Sequence, residues 1–81
     1  MYEYLALSDN GFLFDTRTGH TYSLNPTGTF LLRQLMNGIK EESLADCLLK
    51  TYEVNREQAQ RDVEQFLFRL KDLHLTGGGE E

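Results

Sequence analysis

The chain has 81 residues, is 40% hydrophobic and 11% aromatic, contains one cysteine, and carries a net charge of −5 from 8 basic and 13 acidic residues. A chain of this length makes one domain and buries only roughly 60% of its unfolded surface. The lone Cys47 excludes an internal disulfide, and no run approaches the ~20 apolar residues that span a bilayer.

Residues 1–7 lack the basic and long apolar regions of a signal peptide, so a cytoplasmic protein is expected. The acids are spread along the chain. Generic polyanion or anionic-membrane binding needs a basic stripe, which is hard to find here.

Residues 2–7 form a short aromatic-rich run that ends in Ser8-Asp9-Asn10-Gly11. Asn-Gly between two such runs predicts a hairpin with a type I′ turn, because both residues tolerate positive φ. Residues 11–15 follow, with Phe12 and Phe14 on one face, then the glycine-closed turn Thr16-Arg17-Thr18-Gly19. Residues 20–24 make a third run in which Tyr22 and Leu24 alternate. The expectation is a three-stranded antiparallel meander with one oily face that other elements must cover.

The period then changes from two to 3.6. Asn25 is suited to an N-cap and Pro26 to the first helical position, where its missing N–H costs nothing. This helix carries Phe30, Leu31, Leu32, Leu35 and Met36, and Asn37-Gly38 ends it. A second helix starts near Glu41-Glu42, whose charges suit a helix N-terminus, and carries Leu44, Ala45, Leu48, Leu49 and Tyr52. The third opens at Asn55, with Gln58 completing a variant of the capping box. It carries Ala59, Val63, Phe66, Leu67, Leu70 and Leu73 and is expected to last to about His74.

Strands first and helices after make this an α+β fold. The short Glu53-Val54 connection is helix-turn-helix-like and, with the sheet, suggests a winged-helix-type arrangement. One domain is expected over residues 1–75, followed by a glycine- and glutamate-rich tail at 76–81 that cannot pack.

Nothing in the sequence builds a catalytic centre. His20, His74 and Cys47 lie in no nucleophile or metal motif, and a structural zinc site wants four N or S ligands. The glycines at 77–79 follow a helix, whereas a phosphate cradle leads a strand into one. No cofactor, metal or enzymatic activity is expected. As a DNA-reading helix the third one is neutral: Arg56, Arg61, Arg69 and Lys71 are matched by Glu57, Asp62, Glu64 and Asp72.

Two features suit a polypeptide partner. With Ala59 at the centre of the buried stripe of the third helix, Phe68 falls on the opposite side, either as an isolated surface residue or as an anchor for a partner or a second copy. The third strand comes last in the meander and should lie at an edge. It contains no lysine or proline to blunt that edge, which leaves it open to strand addition unless a helix or loop covers it.

Leu24-Asn25-Pro26-Thr27-Gly28, the apolar helix ending Met36-Asn37-Gly38, then Tyr52 and Asp62-Val63 ahead of Phe66-Leu67 and Leu70, together resemble the PqqD family of pyrroloquinoline quinone synthesis and its relatives, over residues 8 to 75. The resemblance implies a non-catalytic peptide chaperone that recognises the leader of a ribosomally made precursor. In that family the peptide adds as a strand beside the third strand, leans on the third helix, and is presented to a modifying enzyme, a radical SAM protein in the quinone pathway. Carried over by position, this places Thr21, Tyr22 and Ser23 on the strand and Asp62, Gln65, Phe66 and Arg69 on the helix. His74 stands where relatives have glycine. A winged-helix DNA-binding or dimerising regulatory protein remains the alternative, a plain structural or dimerisation domain in which Phe68 packs against its twin is a third reading, and the chain could act as a monomer or a homodimer.

Overall fold

The computed structural model describes residues 2–73. Three strands, β1 (Leu5–Leu7), β2 (Phe12–Asp15) and β3 (Thr21–Ser23), form one antiparallel sheet in the order β1-β2-β3. Three helices follow: α1 (Pro26–Met36), α2 (Leu44–Thr51), which is entered through a 3-10 turn at Glu41–Ser43, and α3 (Arg56–Asp72). The α+β order expected from the sequence is present.

The first hairpin differs from the expected two-residue turn. Gly11 N–H donates to Ser8 O (3.2 Å), so the turn spans residues 8–11. Ser8 N–H donates to Phe12 O (2.9 Å) and Phe12 N–H to Ser8 Oγ (3.1 Å). The loop is therefore the three residues Asp9, Asn10 and Gly11, with Gly11 at positive φ (+89°) where the chain turns back.

That extra residue decides which face of β2 is inside. An Asn10-Gly11 turn would set Leu7 opposite Phe14. The observed register sets Leu7 opposite Leu13, and a one-residue shift moves every side chain to the other face. Leu13 is fully buried, while Phe12 and Phe14 stand on the outer face, 55% and 41% exposed. The expectation that the Phe12–Phe14 face is the covered one is thus corrected by hairpin length.

The second hairpin matches expectation. Asp15 N–H donates to His20 O at 2.9 Å and Gly19, at φ +82°, closes the turn, which sets Tyr22 opposite Leu13 on the core side.

Helix ends follow local chemistry. The Asn25 side chain accepts from Gly28 N–H at 2.7 Å and Pro26 takes the first helical position. At the far end Gly38 N–H donates to Leu35 O and Ile39 N–H to Gln34 O, both at 3.0 Å, with Gly38 at φ +94°. This is a Schellman close. Asn55 accepts from Gln58 N–H at 2.7 Å, but the Gln58 amide turns forward to Asp62 (2.8 Å) instead of back to the cap, so the capping box is only half made. Helix α3 ends at Asp72, and His74 lies outside the described residues.

One core unites the layers. Leu5, Leu13 and Leu24 from the sheet side meet Leu31, Leu32 and Leu35 of α1, Leu44 and Leu48 of α2, and Ala59, Val63, Phe66 and Leu70 of α3. Tyr52, assigned from sequence to the second helix, caps its C-terminus instead and sets its ring edge-on to Phe30 at 5.3 Å. Among the described residues, no helix is long and apolar enough to cross a membrane.

Candidate functional site

Strand β3 has one strand neighbour, and its ladder shows which backbone groups that neighbour uses. Leu24 N–H donates to Gly11 O at 2.8 Å and Asp15 N–H to His20 O at 2.9 Å. With Tyr22 opposite Leu13, residues 20, 22 and 24 are the ones bonded to β2. Antiparallel alternation then turns the N–H and C=O groups of Thr21 and Ser23 away from the sheet. Among the described residues no strand or side chain takes these groups up. The edge is open.

Beside that edge lies a groove of about 540 Å³ between the end of β3, the first turn of α1, and α3. Ser23, Leu24 and Gly28 form one side, and Asp62, Gln65, Phe66 and Arg69 the other. The helical residues recur at intervals of three and four, so they fall on one face of α3. Phe66, 7% exposed, is shared between this floor and the core, whereas Phe68, 72% exposed, stands at the outer rim. Gly28 keeps the floor low: a Cβ there would come 3.1 Å from Asn25 Oδ1 and 3.8 Å from Phe66.

All the helical residues singled out from sequence, Asp62, Gln65, Phe66 and Arg69, line this one groove, as does Ser23. Thr21 does not; its side chain shares the outer face with Phe14, its partner across the ladder. Tyr22 is half-buried against the core and likewise stays out of the groove. Leu24, Asn25, Thr27, Gly28 and Asp72 also line it and were not singled out as site residues. For the first four a signal existed: an Asn-Pro helix start directly after an edge strand puts the first helical turn beside that strand's end.

The electrostatics of the groove are mixed. Asp62 is held by the Gln58 amide at 2.8 Å. Arg69 pairs with no carboxylate among the described residues. Elsewhere on α3, Arg56 reaches Asp46 at 3.4 Å and Arg61 reaches Glu57 at 3.8 Å, so these cations already face carboxylates.

Asp15 is the one buried charged residue of the described core, 2% exposed. Its carboxylate accepts from Arg17 Nε (3.2 Å), Nη2 (3.0 Å) and backbone N–H (2.9 Å), and the Arg17 guanidinium lies 3.6 Å over the Tyr4 ring. The side-chain bond to Arg17 holds the Asp15 carboxyl below the ordinary carboxylate range against the opposing effect of burial. This cluster braces the second hairpin and is not part of the groove. His20 is exposed, edge-on to Tyr22 at 6.3 Å, and Cys47 is half-buried. Among the described residues, no group of His, Cys, Asp and Glu could hold a metal ion.

Comparison with known proteins agrees with this geometry. A lasso peptide synthetase B1 complexed with the leader peptide is 33% identical, covering 85% of this chain and 82% of that one, with a TM-score of 0.69. TbiB1 in complex with the TbiA(beta) leader peptide is 27% identical, covering 95% of this chain and 91% of that one, with a TM-score of 0.78. No curated protein matches the chain. The model for coenzyme PQQ synthesis protein D matches residues 10–75, a span that takes in both walls of the groove. The chain belongs to the PqqD family.

Proposed function

We propose that this protein binds the leader of a ribosomally made precursor peptide as a fourth strand on the open edge of β3, seats the leader's inward side chains in the groove against α3, and presents the peptide to a modifying enzyme without carrying out chemistry itself. The observation that carries this reading is the outward-directed, unengaged backbone of Thr21 and Ser23 beside a groove of about 540 Å³. Both structural relatives named above are complexes with leader peptides. They support the same substrate class here.

Magnitudes assign the work. Hydrogen bonds from Thr21 and Ser23 at a net ~1 kcal/mol each supply about 4 kcal/mol. Micromolar affinity requires about 8 kcal/mol. The difference has to come from side chains in the groove, where Phe66, Phe68, Gln65 and Arg69 offer apolar area and hydrogen bonding. Backbone pairing therefore supplies a general preference for extended peptide, and the groove supplies selectivity.

The family description points toward quinone synthesis, with a radical SAM enzyme as the partner we propose in that case, and one solved relative, a lasso peptide synthetase B1, points toward lasso peptides. The binding step proposed here is common to both. Titration calorimetry with a panel of synthetic leader peptides, the TbiA(beta) leader among them, tests the reading. Saturable binding to at least one leader, lost on scrambling its sequence, is expected. Equal heats for leader and scrambled controls across the panel, or binding of random duplex DNA in preference to every leader, contradict it.

A further inference from the structure

The arginines are not equivalent. Arg17 reaches Asp15 at 3.0 Å, Arg33 reaches Asp9 at 3.3 Å, Arg56 reaches Asp46 at 3.4 Å, and Arg61 reaches Glu57 at 3.8 Å. Arg69 is the remaining arginine, it lines the groove, and among the described residues it reaches no carboxylate. Two carboxylates share the groove wall with it, and neither serves it. Asp62 accepts from Gln58, and Asp72, one turn along the same face, forms no ion pair among the described residues. A guanidinium presents a planar fork of donors that matches one carboxylate in two parallel bonds.

We propose that Arg69 reads a single carboxylate of the guest peptide, and so restricts the protein to leaders with one Asp or Glu at a fixed register. This rests on the strand-addition reading above. In an added strand, residues opposite Thr21 and Ser23 send their side chains to the outer face, and those opposite Tyr22 and Leu24 send theirs toward α3. The residue that covers Phe66 and Phe68 and the residue that meets Arg69 thus belong to the same alternate set. The acidic position lies an even number of residues from the apolar one.

Asp62 and Asp72 restrict the choice further. They flank Arg69 in the groove lining, and the whole chain carries −5, so a guest with several acids on its inward face is repelled. The ligand class is an extended, mostly uncharged peptide in which one carboxylate alternates with an apolar anchor.

Selection of short randomised peptides from a displayed library against the full chain tests this independently of the natural leader's sequence. The wild type, Arg69→Glu and, as an off-groove control on the same helix, Arg61→Gln are compared. The expected wild-type consensus has Asp or Glu at one position, an even number of residues from its apolar position. Arg69→Glu is expected to select Lys or Arg there, and Arg61→Gln to keep the wild-type consensus. In calorimetry, exchanging that Asp for Asn in one selected peptide should weaken wild-type binding about tenfold and leave binding to Arg69→Gln unchanged. Enriched peptides with no acidic position, or the same consensus from wild type and Arg69→Glu, overturn the carboxylate reading while leaving strand addition standing. A failure to enrich extended peptides on any variant overturns both.

Discussion

Tyr22 lies directly opposite Leu13 in the β2–β3 ladder, and this pairing commits the Tyr22 backbone to the sheet while leaving Thr21 and Ser23 to face outward. The same pairing sets the Tyr22 side chain on the core side, above the fully buried Leu13. Neighbouring residues of one short strand therefore have different duties: Tyr22 holds the sheet together, and its neighbours hold its edge available.

A proline scan of β3 separates those duties. Proline has no N–H to donate and is tolerated where that N–H faces away from the sheet. Thr21→Pro should leave the fold standing and weaken leader binding at least about tenfold, through a lost hydrogen bond and a blocked approach to the edge. Tyr22→Pro should instead break the ladder bond to Leu13 and unfold much of the population. Circular dichroism and calorimetry on the two variants distinguish these outcomes.

The two groove phenylalanines should behave oppositely. Phe66 is 7% exposed and part of the core, so Phe66→Ala is expected to cost about 3–5 kcal/mol of stability, a large share of the ~5–15 kcal/mol of a typical domain. Phe68 is 72% exposed, so Phe68→Ala should change stability by less than about 0.5 kcal/mol and still weaken leader binding severalfold. Urea unfolding alongside calorimetry reads both quantities.

Gly11 holds a position that a residue with a Cβ would fill only with strain. It sits at φ +89°, and a Cβ there would lie 2.6 Å from the Leu24 carbonyl oxygen, a backbone atom that cannot swing aside. Gly11→Ala should therefore destabilise by about 1–3 kcal/mol, measured by urea unfolding. Gly19→Ala, also at positive φ (+82°) but with no atom within 4 Å of the added carbon, should cost less.

Acid stability should depend on Asp15. Its folded pKa is depressed, first by the Arg17 side-chain bond. Such a group contributes stability above its unfolded pKa of about 3.9, and that contribution fades as pH falls through the folded value. Asp15→Asn should be less stable than wild type near neutral pH, and the gap in Tm should narrow below about pH 4. A gap that stays constant down to about pH 2 contradicts a depressed Asp15.

Much of this architecture was legible in the chain. The caps at Asn25, Gly38 and Asn55 are local chemistry, and the structure realises each of them. The α3 stripe Ala59, Val63, Phe66 and Leu70, and the outward Phe68, follow from helical period alone. The hairpin register was not legible in the same way. Asn10-Gly11 satisfies the two-residue turn, and it takes the bond of Ser8 Oγ with Phe12 N–H, the pairing of Ser8 with Phe12 and the Gly11 N–H bond to Ser8 O to show that the loop is one residue longer. Since strand period is two, that single residue exchanged the Phe12–Phe14 face for the Leu13 face.

The residues lining the candidate groove divide in the same way. Asp62, Gln65, Phe66 and Arg69 share one helical face and reach one groove. The Gly28 side depends on how closely α1 approaches α3 near Phe66, a tertiary distance that no local pattern encodes. Tyr22, placed on the binding strand from sequence, is half-buried, so Tyr22→Ala is expected to cost stability as well as any affinity.

Amide hydrogen exchange at Thr21 and Ser23, resolved residue by residue with and without a saturating leader peptide, tests the open edge most directly. The free protein should exchange both amides quickly, and bound leader should slow them by at least about tenfold while the Leu24 amide, already bonded to Gly11, changes little. Unchanged exchange at Thr21 and Ser23 under saturation, or strong protection of both in the free monomer, contradicts a guest strand on β3.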